Sequence, residues 1–189
     1  MTLRSVGGSR STLVVEGGYR LSGQVHVEGN KNAALPLLAA CLLTEQLCVL
    51  TNVPQIQDVQ VMIQLLEGLG AEIEGAGTTT LNVCCRNIST NEPDPQLVGR
   101  LRGSVLLVGP LLARVGSVRL APPGGDFPAR RTLASHLQAL RAMGVQDTHT
   151  DGYELIAQDG LKAASIYLEE ASVTGTETAI LAAAATKGT

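Results

Sequence analysis

Aromatic and basic residues are scarce in this chain of 189 residues. It has no tryptophan, one phenylalanine and three tyrosines, and its formal net charge is −3. So few aromatic side chains cannot build a platform for stacking nucleic-acid bases, and no basic excess is present to neutralise phosphates. Both observations argue against a nucleic-acid-binding protein. The core must therefore consist of leucine, valine, isoleucine and alanine side chains.

Long apolar runs are also missing. The longest, residues 33–43, has 11 residues and contains Pro36, whereas a membrane-spanning helix needs about 20. Residues 1–8 contain no apolar segment of the kind that a secretory signal carries. We therefore expect a cytoplasmic protein that has no membrane partner.

The four cysteines do not form a metal-binding pattern. Cys41 and Cys48 lie in or beside apolar runs, and the adjacent Cys84 and Cys85 are typical of a strand whose side chains alternate between two faces. No histidine or second cysteine pair falls at zinc-ligand spacing. We expect buried, reduced thiols and no metal. Lysine occurs only three times, against eleven arginines, which makes Lys31 conspicuous.

The strongest pattern is an internal repeat. Residues 31–100 and 101–170 each contain an apolar helix, a short strand, an amphipathic helix and a strand pair, and a third copy begins at 171–189. Gly70 and Gly144 are placed to end the amphipathic helices. Because the first helix of each unit is apolar nearly all round, we expect several units to pack together with these helices inside. The pattern predicts an α/β protein built from repeated units.

The predicted elements can be stated residue by residue. Amphipathic helices are expected at 59–69 and 133–143, and a buried helix begins near Asn32. The predicted strands are 24–28, 47–50, 71–74, 79–83, 116–120, 145–148 and 153–157.

Two cationic side chains stand at the starts of predicted helices. Lys31 and Asn32 begin the apolar helix of the first unit, where backbone N–H groups, an ammonium and an amide suit an anionic oxygen. The alternative is an asparagine cap beside a solvated lysine. Arg102 begins the equivalent helix of the second unit, and its planar guanidinium can donate two hydrogen bonds to one carboxylate or phosphate. Its alternative is an ordinary surface arginine.

Two loops are further candidates. Residues 122–131 contain Gly-Gly, then Asp126, then Arg130 and Arg131. Asp126 can donate a proton only if burial raises its pKa, and the arginines would lower that pKa unless a bound anion occupies them. The alternative is a Pro/Gly surface loop. Residues 171–177 form a hydroxyl-rich helix start that can cap the helix or hold a phosphate.

His136 is expected to be packed and neutral, because its spacing puts it beside the apolar face of the second amphipathic helix. The sequence contains no nucleophile–base pairing that spacing alone supports.

Several segments together resemble the enolpyruvyl transferases. The matching segments, which extend over nearly the whole chain from Leu13 onward, include Gly29-Asn-Lys-Asn-Ala-Ala-Leu-Pro36, Leu101-Arg-Gly-Ser104, Pro123-Gly-Gly-Asp126 and Ala171-Ser-Val-Thr-Gly-Thr-Glu177. The first of these is highly specific to the family, and it is shared less well with the relative that acts in the shikimate pathway than with the branch that acts on UDP-N-acetylglucosamine. The resemblance implies transfer of the enolpyruvyl group of phosphoenolpyruvate to the sugar 3′-hydroxyl with release of phosphate. This is the first committed step of peptidoglycan synthesis, on which cell-wall biogenesis, cell shape and cell division depend.

The resemblance also implies an architecture. The family fold is two inside-out α/β barrels of three repeats each, with the active site between them. Residues 1–30 would be strands that pack with the second domain, and 31–189 would be the catalytic-domain portion, with two complete repeats and one partial repeat. Since the C-terminal domain, with a catalytic aspartate and further arginines, is absent from this sequence, we expect an incomplete, inactive fragment. The alternatives are a shikimate-3-phosphate enolpyruvyl transferase relative and a non-catalytic ligand-binding remnant.

The resemblance assigns roles to residues of this chain and implies no cofactor. Lys31 would hold the phosphate of phosphoenolpyruvate, and Asn32 would touch substrate beside it. Arg102 and Arg131 would bind the nucleotide sugar and phosphate, and Asp126 would be the proton donor. Two segments would hold the sugar nucleotide, namely Thr132, Leu133, Ala134 and Ser135, which face the uridine, and Glu170, Ala171, Ser172 and Val173.

Three positions depart from the family pattern. Asp126 stands where most members have the cysteine that fosfomycin alkylates, so the resemblance predicts resistance to that drug. Ala134 lacks a carboxylate that would hydrogen-bond the nucleotide. Glu170 replaces a lysine in a segment that faces phosphate.

Overall fold

The structure is a computed structural model that describes residues 17–124, 132–148 and 152–188. Within these ranges the α-helices are α1 (Lys31–Ala40), α2 (Gln57–Gly68), α3 (Pro95–Val98), α4 (Val108–Val115), α5 (Ala134–Ala142) and α6 (Val173–Ala183). The strands are β1 (Cys48–Leu50), β2 (Glu72–Glu74), β3 (Leu81–Cys84), β4 (Ser117–Leu120), β5 (Gln146–Thr148) and β6 (Tyr153–Ile156). Two 3₁₀ helices cover Cys41–Leu43 and Arg102–Leu107.

The strands form two antiparallel sheets of the same design. The strand orders are β1-β3-β2 and β4-β6-β5. In the first sheet Cys48 lies opposite Val83, and in the second Ser117 lies opposite Ile156. Each sheet lies within one of the two predicted repeats, and the two sheets share one arrangement of strands.

The amphipathic helices follow the predicted periodicity. α2 buries Val59, Met62 and Leu66 completely, because residues three and four apart share one helix face. Gly70 and Gly144 follow α2 and α5 with φ angles of 106° and 90°. Only glycine adopts that left-handed conformation without strain, so both glycines end their helices as predicted.

Helix α6 is packed closely on its two neighbours. A Cβ on Gly109 of α4 would lie 2.9 Å from the Thr178 carbonyl oxygen, and one on Gly175 would lie 2.8 Å from Ser135 Oγ. The glycines therefore permit backbone approaches that a larger residue would block. The third copy thus contributes its first helix to the same core as the two complete units.

Three expectations need correction, and one helix was not predicted. Residues 24–28 are not a strand, because they have no partner strand among the described residues, and Val25 and Val27 are 90% and 80% exposed. Arg102 begins a 3₁₀ helix rather than an α-helix. Helix α3, capped by Asp94, was not predicted. All four cysteines are free, but only Cys41 and Cys85 are buried, while Cys48 and Cys84 are half-buried.

The described residues show two repeat units and the first helix of a third, without a complete barrel. The longest of the described helices has 12 residues. Neither it nor any other helix in those ranges is long and apolar enough to cross a bilayer.

Candidate anion-binding cleft

A cleft of about 690 Å³ opens where the starts of α1, of the second 3₁₀ helix and of α6 meet. Its apolar wall contains Leu35, Pro36, Leu101 and Leu106. Its charged groups are the cations Lys31, Arg100 and Arg102 and the acids Asp58, Glu170 and Glu177. Three helix beginnings from different parts of the chain therefore contribute to one concave surface.

Most of the predicted site residues line this cleft. They are Lys31, Asn32, Arg102, Thr132, Ser135, Glu170, Ala171, Ser172 and Val173. Leu133 and Ala134 are not among the lining residues, and the Leu133 side chain is buried in the core at 3% exposure. Asp126 and Arg131 lie outside the described residues.

Lys31 is held at the cleft wall by an ion pair. Its Nζ lies 3.0 Å from Oδ2 of Asp58, and the two side chains are 49% and 39% exposed. The N-cap of α1 is Asn30, whose side chain accepts from the Asn32 backbone N–H at 2.7 Å. The asparagine cap foreseen in the alternative is therefore present, and the capping residue is Asn30 rather than Asn32. Asp58 is far from Lys31 in sequence, and no spacing signal could have found this partner.

His136 is a buried histidine whose pKa is lowered by its burial and by the charge of Arg102. The pKa of His136 falls to about 4, first because the ring is buried and then because the positive charge of Arg102 opposes its protonation. His136 is 1% exposed, so the prediction of a packed, neutral histidine is confirmed.

His136 ties α5 to the first turns of α6. Its Nδ1 is 2.9 Å from Thr178 Oγ1, and its Nε2 is 3.1 Å from Thr174 Oγ1. A neutral imidazole has one donor and one acceptor nitrogen, and a hydroxyl can play either part. Both ring nitrogens are therefore satisfied, and Thr174 is fixed at the cleft wall.

The start of α6 offers backbone donors to the cleft. Ser172 is the N-cap, and its Oγ accepts from the Gly175 backbone N–H at 3.1 Å. Unsatisfied N–H groups and the helix dipole at such a start favour an anion. Glu177, one turn further along, has a pKa raised by burial. The cleft can thus bind an anionic oxygen through the cations Lys31 and Arg102 and the start of α6, with the carboxyl group of Glu177 among its lining residues.

Solved structures give the class of protein to which this fold belongs. The structure resembles the enolpyruvyl transferase NikO from Streptomyces tendae with a TM-score of 0.73 and 25% identity, covering 91% of this chain and 40% of that one. It also resembles the EPSP synthase of Acinetobacter baumannii with a TM-score of 0.65, at 19% identity, which bears on the fold alone. The fold is that of an enolpyruvyl transferase domain.

The sequence comparisons show the family. A family model described as EPSP synthase (3-phosphoshikimate 1-carboxyvinyltransferase) matches residues 15–189, and the chain belongs to this family. The chain is 47% identical over 175 residues to a UDP-N-acetylglucosamine 1-carboxyvinyltransferase of Bradyrhizobium diazoefficiens, and 44% identical over 177 residues to one of Desulfosudis oleivorans. These alignments cover 93% and 94% of this chain but 40% and 42% of the relatives. The chain thus spans about two fifths of the length of the curated relatives it matches.

Proposed function

We propose that this chain supplies the N-terminal part of an active site that transfers the enolpyruvyl group of phosphoenolpyruvate to the 3′-hydroxyl of UDP-N-acetylglucosamine, releasing phosphate. The observation that carries the proposal is the meeting of Lys31, Arg102 and the start of α6 in one cleft. The names of the relatives support the choice of substrates. The proposed activity belongs to cytoplasmic peptidoglycan synthesis.

The described residues suit the binding of two anionic substrates. The Lys31 ammonium would bind the phosphate of phosphoenolpyruvate as a compact point charge, with Asn32 beside it. Arg102 would bind the nucleotide sugar through two parallel N–H donors of its planar guanidinium. The α6 start, with Ser172 and Val173, would add backbone donors for the same ligand.

The chemistry requires a proton donor and a base. The methylene carbon of the enolpyruvyl group gains a proton as the sugar hydroxyl attacks the adjacent carbon, and loses a proton as phosphate leaves. We assign the donor role to Asp126 and phosphate binding to Arg131, by resemblance. The uridine would contact Thr132 and Ser135, which line the cleft.

We expect residues 1–189 on their own not to turn over, since the resemblance places the base outside the two fifths of the relatives' length that these residues match. The test is phosphate release from phosphoenolpyruvate and UDP-N-acetylglucosamine, measured with the chain alone and with a full-length relative as positive control. Turnover by the chain at the rate of the relative would contradict the expectation.

A second substrate, shikimate 3-phosphate, is favoured by the description of the matching family model. The Gly-x-Lys-Asn segment and the Gly-Gly-Asp loop favour the sugar nucleotide instead. Calorimetric titration of the chain with each compound distinguishes them. We expect heat with UDP-N-acetylglucosamine and none with shikimate 3-phosphate, and the reverse pattern would support the alternative.

A non-catalytic remnant of the fold is the remaining alternative, and it predicts no heat with any sugar nucleotide. Two variants test our proposal against this alternative: Lys31→Ala, in the cleft, and Lys162→Ala as its matched control. Lys162 is an exposed lysine paired with Asp159 at 3.4 Å, outside the cleft. On our proposal the first variant weakens binding of phosphoenolpyruvate and the second leaves it unchanged.

A further inference from the structure

Arg100 is a third cation in the lining of the cleft, together with Lys31 and Arg102. Its side chain is exposed to solvent, and within the described ranges that side chain forms no ion pair or hydrogen bond. Lys31, by contrast, is already paired with Asp58 at 3.0 Å. The positive charge of Arg100 is therefore available to a ligand.

The backbone at residues 100–102 directs two arginines to the same side. Leu101 has φ −136° and ψ 110°, which is an extended conformation. In extended backbone, residues two apart point to the same side, and their Cα atoms lie about 6.6 Å apart. Leu101 itself is 3% exposed and packs in the core. Arg100 and Arg102 therefore flank a buried leucine, and both line the cleft.

The short helix α3 sets the position of this segment. Asp94 caps the helix, since its carboxylate accepts from the Gln96 and Leu97 backbone N–H groups at 2.7 and 3.3 Å. Val98, the last residue of the helix, is completely buried. The Arg100 backbone N–H then donates to the Leu97 carbonyl at 3.0 Å. The side chain of Arg100 thus leaves the backbone from a hydrogen-bonded turn.

Further contacts hold the same turn on both sides of Arg100. The Leu101 carbonyl accepts from the Ser104 backbone N–H at 3.1 Å and from Ser104 Oγ at 2.7 Å. The Gly124 N–H donates to the Val98 carbonyl at 3.0 Å, and a Cβ on Gly124 would overlap the Gly99 carbonyl oxygen. The backbone that carries the two arginines is therefore pre-organised, which lowers the entropic cost of binding a ligand.

Two neighbouring guanidiniums suit one phosphate group. Each guanidinium is planar, always charged and able to donate two parallel hydrogen bonds to phosphate oxygens. The acids of the cleft do not neutralise Arg100. Asp58 pairs with Lys31, and neither Glu170 nor Glu177 forms an ion pair within the described part of the chain. A phosphate therefore displaces no carboxylate of these residues when it binds Arg100, whereas at Lys31 it must compete with Asp58.

We infer that Arg100 and Arg102 form an arginine clamp that binds one phosphate group of the substrates, with Arg100 as a substrate-binding residue in its own right. The inference rests on the proposed function for its choice of ligands. Two sources supply a phosphate group there, namely the diphosphate of UDP-N-acetylglucosamine and the phosphate of phosphoenolpyruvate. Their shared chemistry is an anionic phosphate ester, and separate titrations distinguish them.

Calorimetric titration with each substrate tests the clamp and identifies its ligand. The native chain and Arg100→Ala are titrated with UDP-N-acetylglucosamine and, separately, with phosphoenolpyruvate. We expect Arg100→Ala to raise the Kd of at least one of them by about tenfold or more, since charge-assisted hydrogen bonds are lost. Weaker binding of the nucleotide sugar assigns the clamp to its diphosphate, and weaker binding of phosphoenolpyruvate assigns it to that phosphate. Arg100→Lys should recover only part of the affinity, because an ammonium lacks the two parallel donors.

Arg86→Ala is the matched control. Arg86 is also exposed but is not among the residues that line the cleft, so both Kd values should stay unchanged. Arg100→Ala should unfold at the same urea concentration as the native chain, because it removes an exposed side chain. A lower midpoint would show a structural role and overturn the inference.

The same titrations separate the inference from the proposed function. Unchanged Kd values in Arg100→Ala, with both substrates bound by the native chain, would overturn the inference and leave the proposed function in place. Failure of the native chain to bind either substrate would overturn both.

Discussion

Lys31 and Asp58 form an ion pair at the wall of the cleft, 3.0 Å apart. An anion that binds Lys31 must compete with the Asp58 carboxylate. A partly exposed pair of this kind contributes only a modest free energy, about 0.2–1 kcal/mol. Exchange of the pair for a bound phosphate is therefore feasible without rearranging α1 or α2.

This competition predicts the effect of Asp58→Asn. Removing the negative charge should tighten binding of inorganic phosphate by about two- to fivefold, since the pair is worth less than about 1 kcal/mol. The matched control is Asp159→Asn, which removes the partner of Lys162 and should change nothing. Calorimetry measures both constants. Weaker phosphate binding in Asp58→Asn would show that the carboxylate positions Lys31 rather than competing with the ligand.

His136 predicts a pH dependence of stability. Its pKa falls from 6.5 to about 4 on folding, so between these values the unfolded chain binds more protons than the folded one. The contribution of His136 to the free energy of unfolding is fully present above pH 6.5. It decreases as the pH falls toward 4, in total by roughly 3 kcal/mol. Urea denaturation of the native chain and of His136→Gln at several pH values measures it. If the free energy of unfolding depended on pH equally in the two proteins between pH 4 and 6.5, this account would be contradicted.

Because residue 126 is an aspartate, we predict that fosfomycin does not react covalently with this position. A carboxylate is a weaker nucleophile than a thiolate toward an epoxide, so the drug should leave position 126 unlabelled. Trypsin releases Asp126 in the peptide 120–130, whereas all four cysteines lie in 32–86. The control is Asp126→Cys, which should gain the drug's mass on 120–130. An adduct on that peptide in the native chain would contradict the prediction.

At the scale of elements, α6 depends on close packing against α4. In Gly109→Ala the new Cβ would lie 2.9 Å from the Thr178 carbonyl oxygen and 3.1 Å from the Ala182 nitrogen, both of which are backbone atoms. Because backbone cannot move aside cheaply, the variant should lose about 1–3 kcal/mol of unfolding free energy. Chemical denaturation measures the loss.

The matched control for this variant is Gly68→Ala, at the last residue of α2. A Cβ there meets nothing within 4 Å, so the change should be neutral or stabilise by up to about 1 kcal/mol. An unfolding free energy of Gly109→Ala equal to that of the native chain, or above it, would show that the contact with α6 does not restrict the residue at position 109.

The elements that the sequence predicted are those whose pattern is local. Periodicity in α2 and α5 and the terminating Gly70 and Gly144 need only residues within a few turns. The predicted strand at 24–28 is wrong because a strand exists only with a partner, and the described residues contain none. The short α3 was missed because a four-residue helix has no period to detect.

At the scale of the whole molecule, the duplicated pattern predicted two like units, and the two sheets share one strand order. The cleft could be predicted in part, since Lys31, Arg102 and Ser172 each begin a helix-like element of its repeat. Asp58 could not be placed there from spacing, and Thr174 only as part of the predicted helix start at 171–177. Their contacts with Lys31 and His136 depend on how the repeats pack against one another.

The most direct test of the account is amide NMR of the chain during titration with UDP-N-acetylglucosamine and phosphoenolpyruvate. We predict that the resonances of Lys31, Asn32, Arg102 and Ser172 shift together with saturation. The resonance of Arg119, which lies between Glu92 and Glu154 outside the cleft, should stay in place. Shifts scattered over the surface, or none at these four residues at millimolar ligand, would contradict the account.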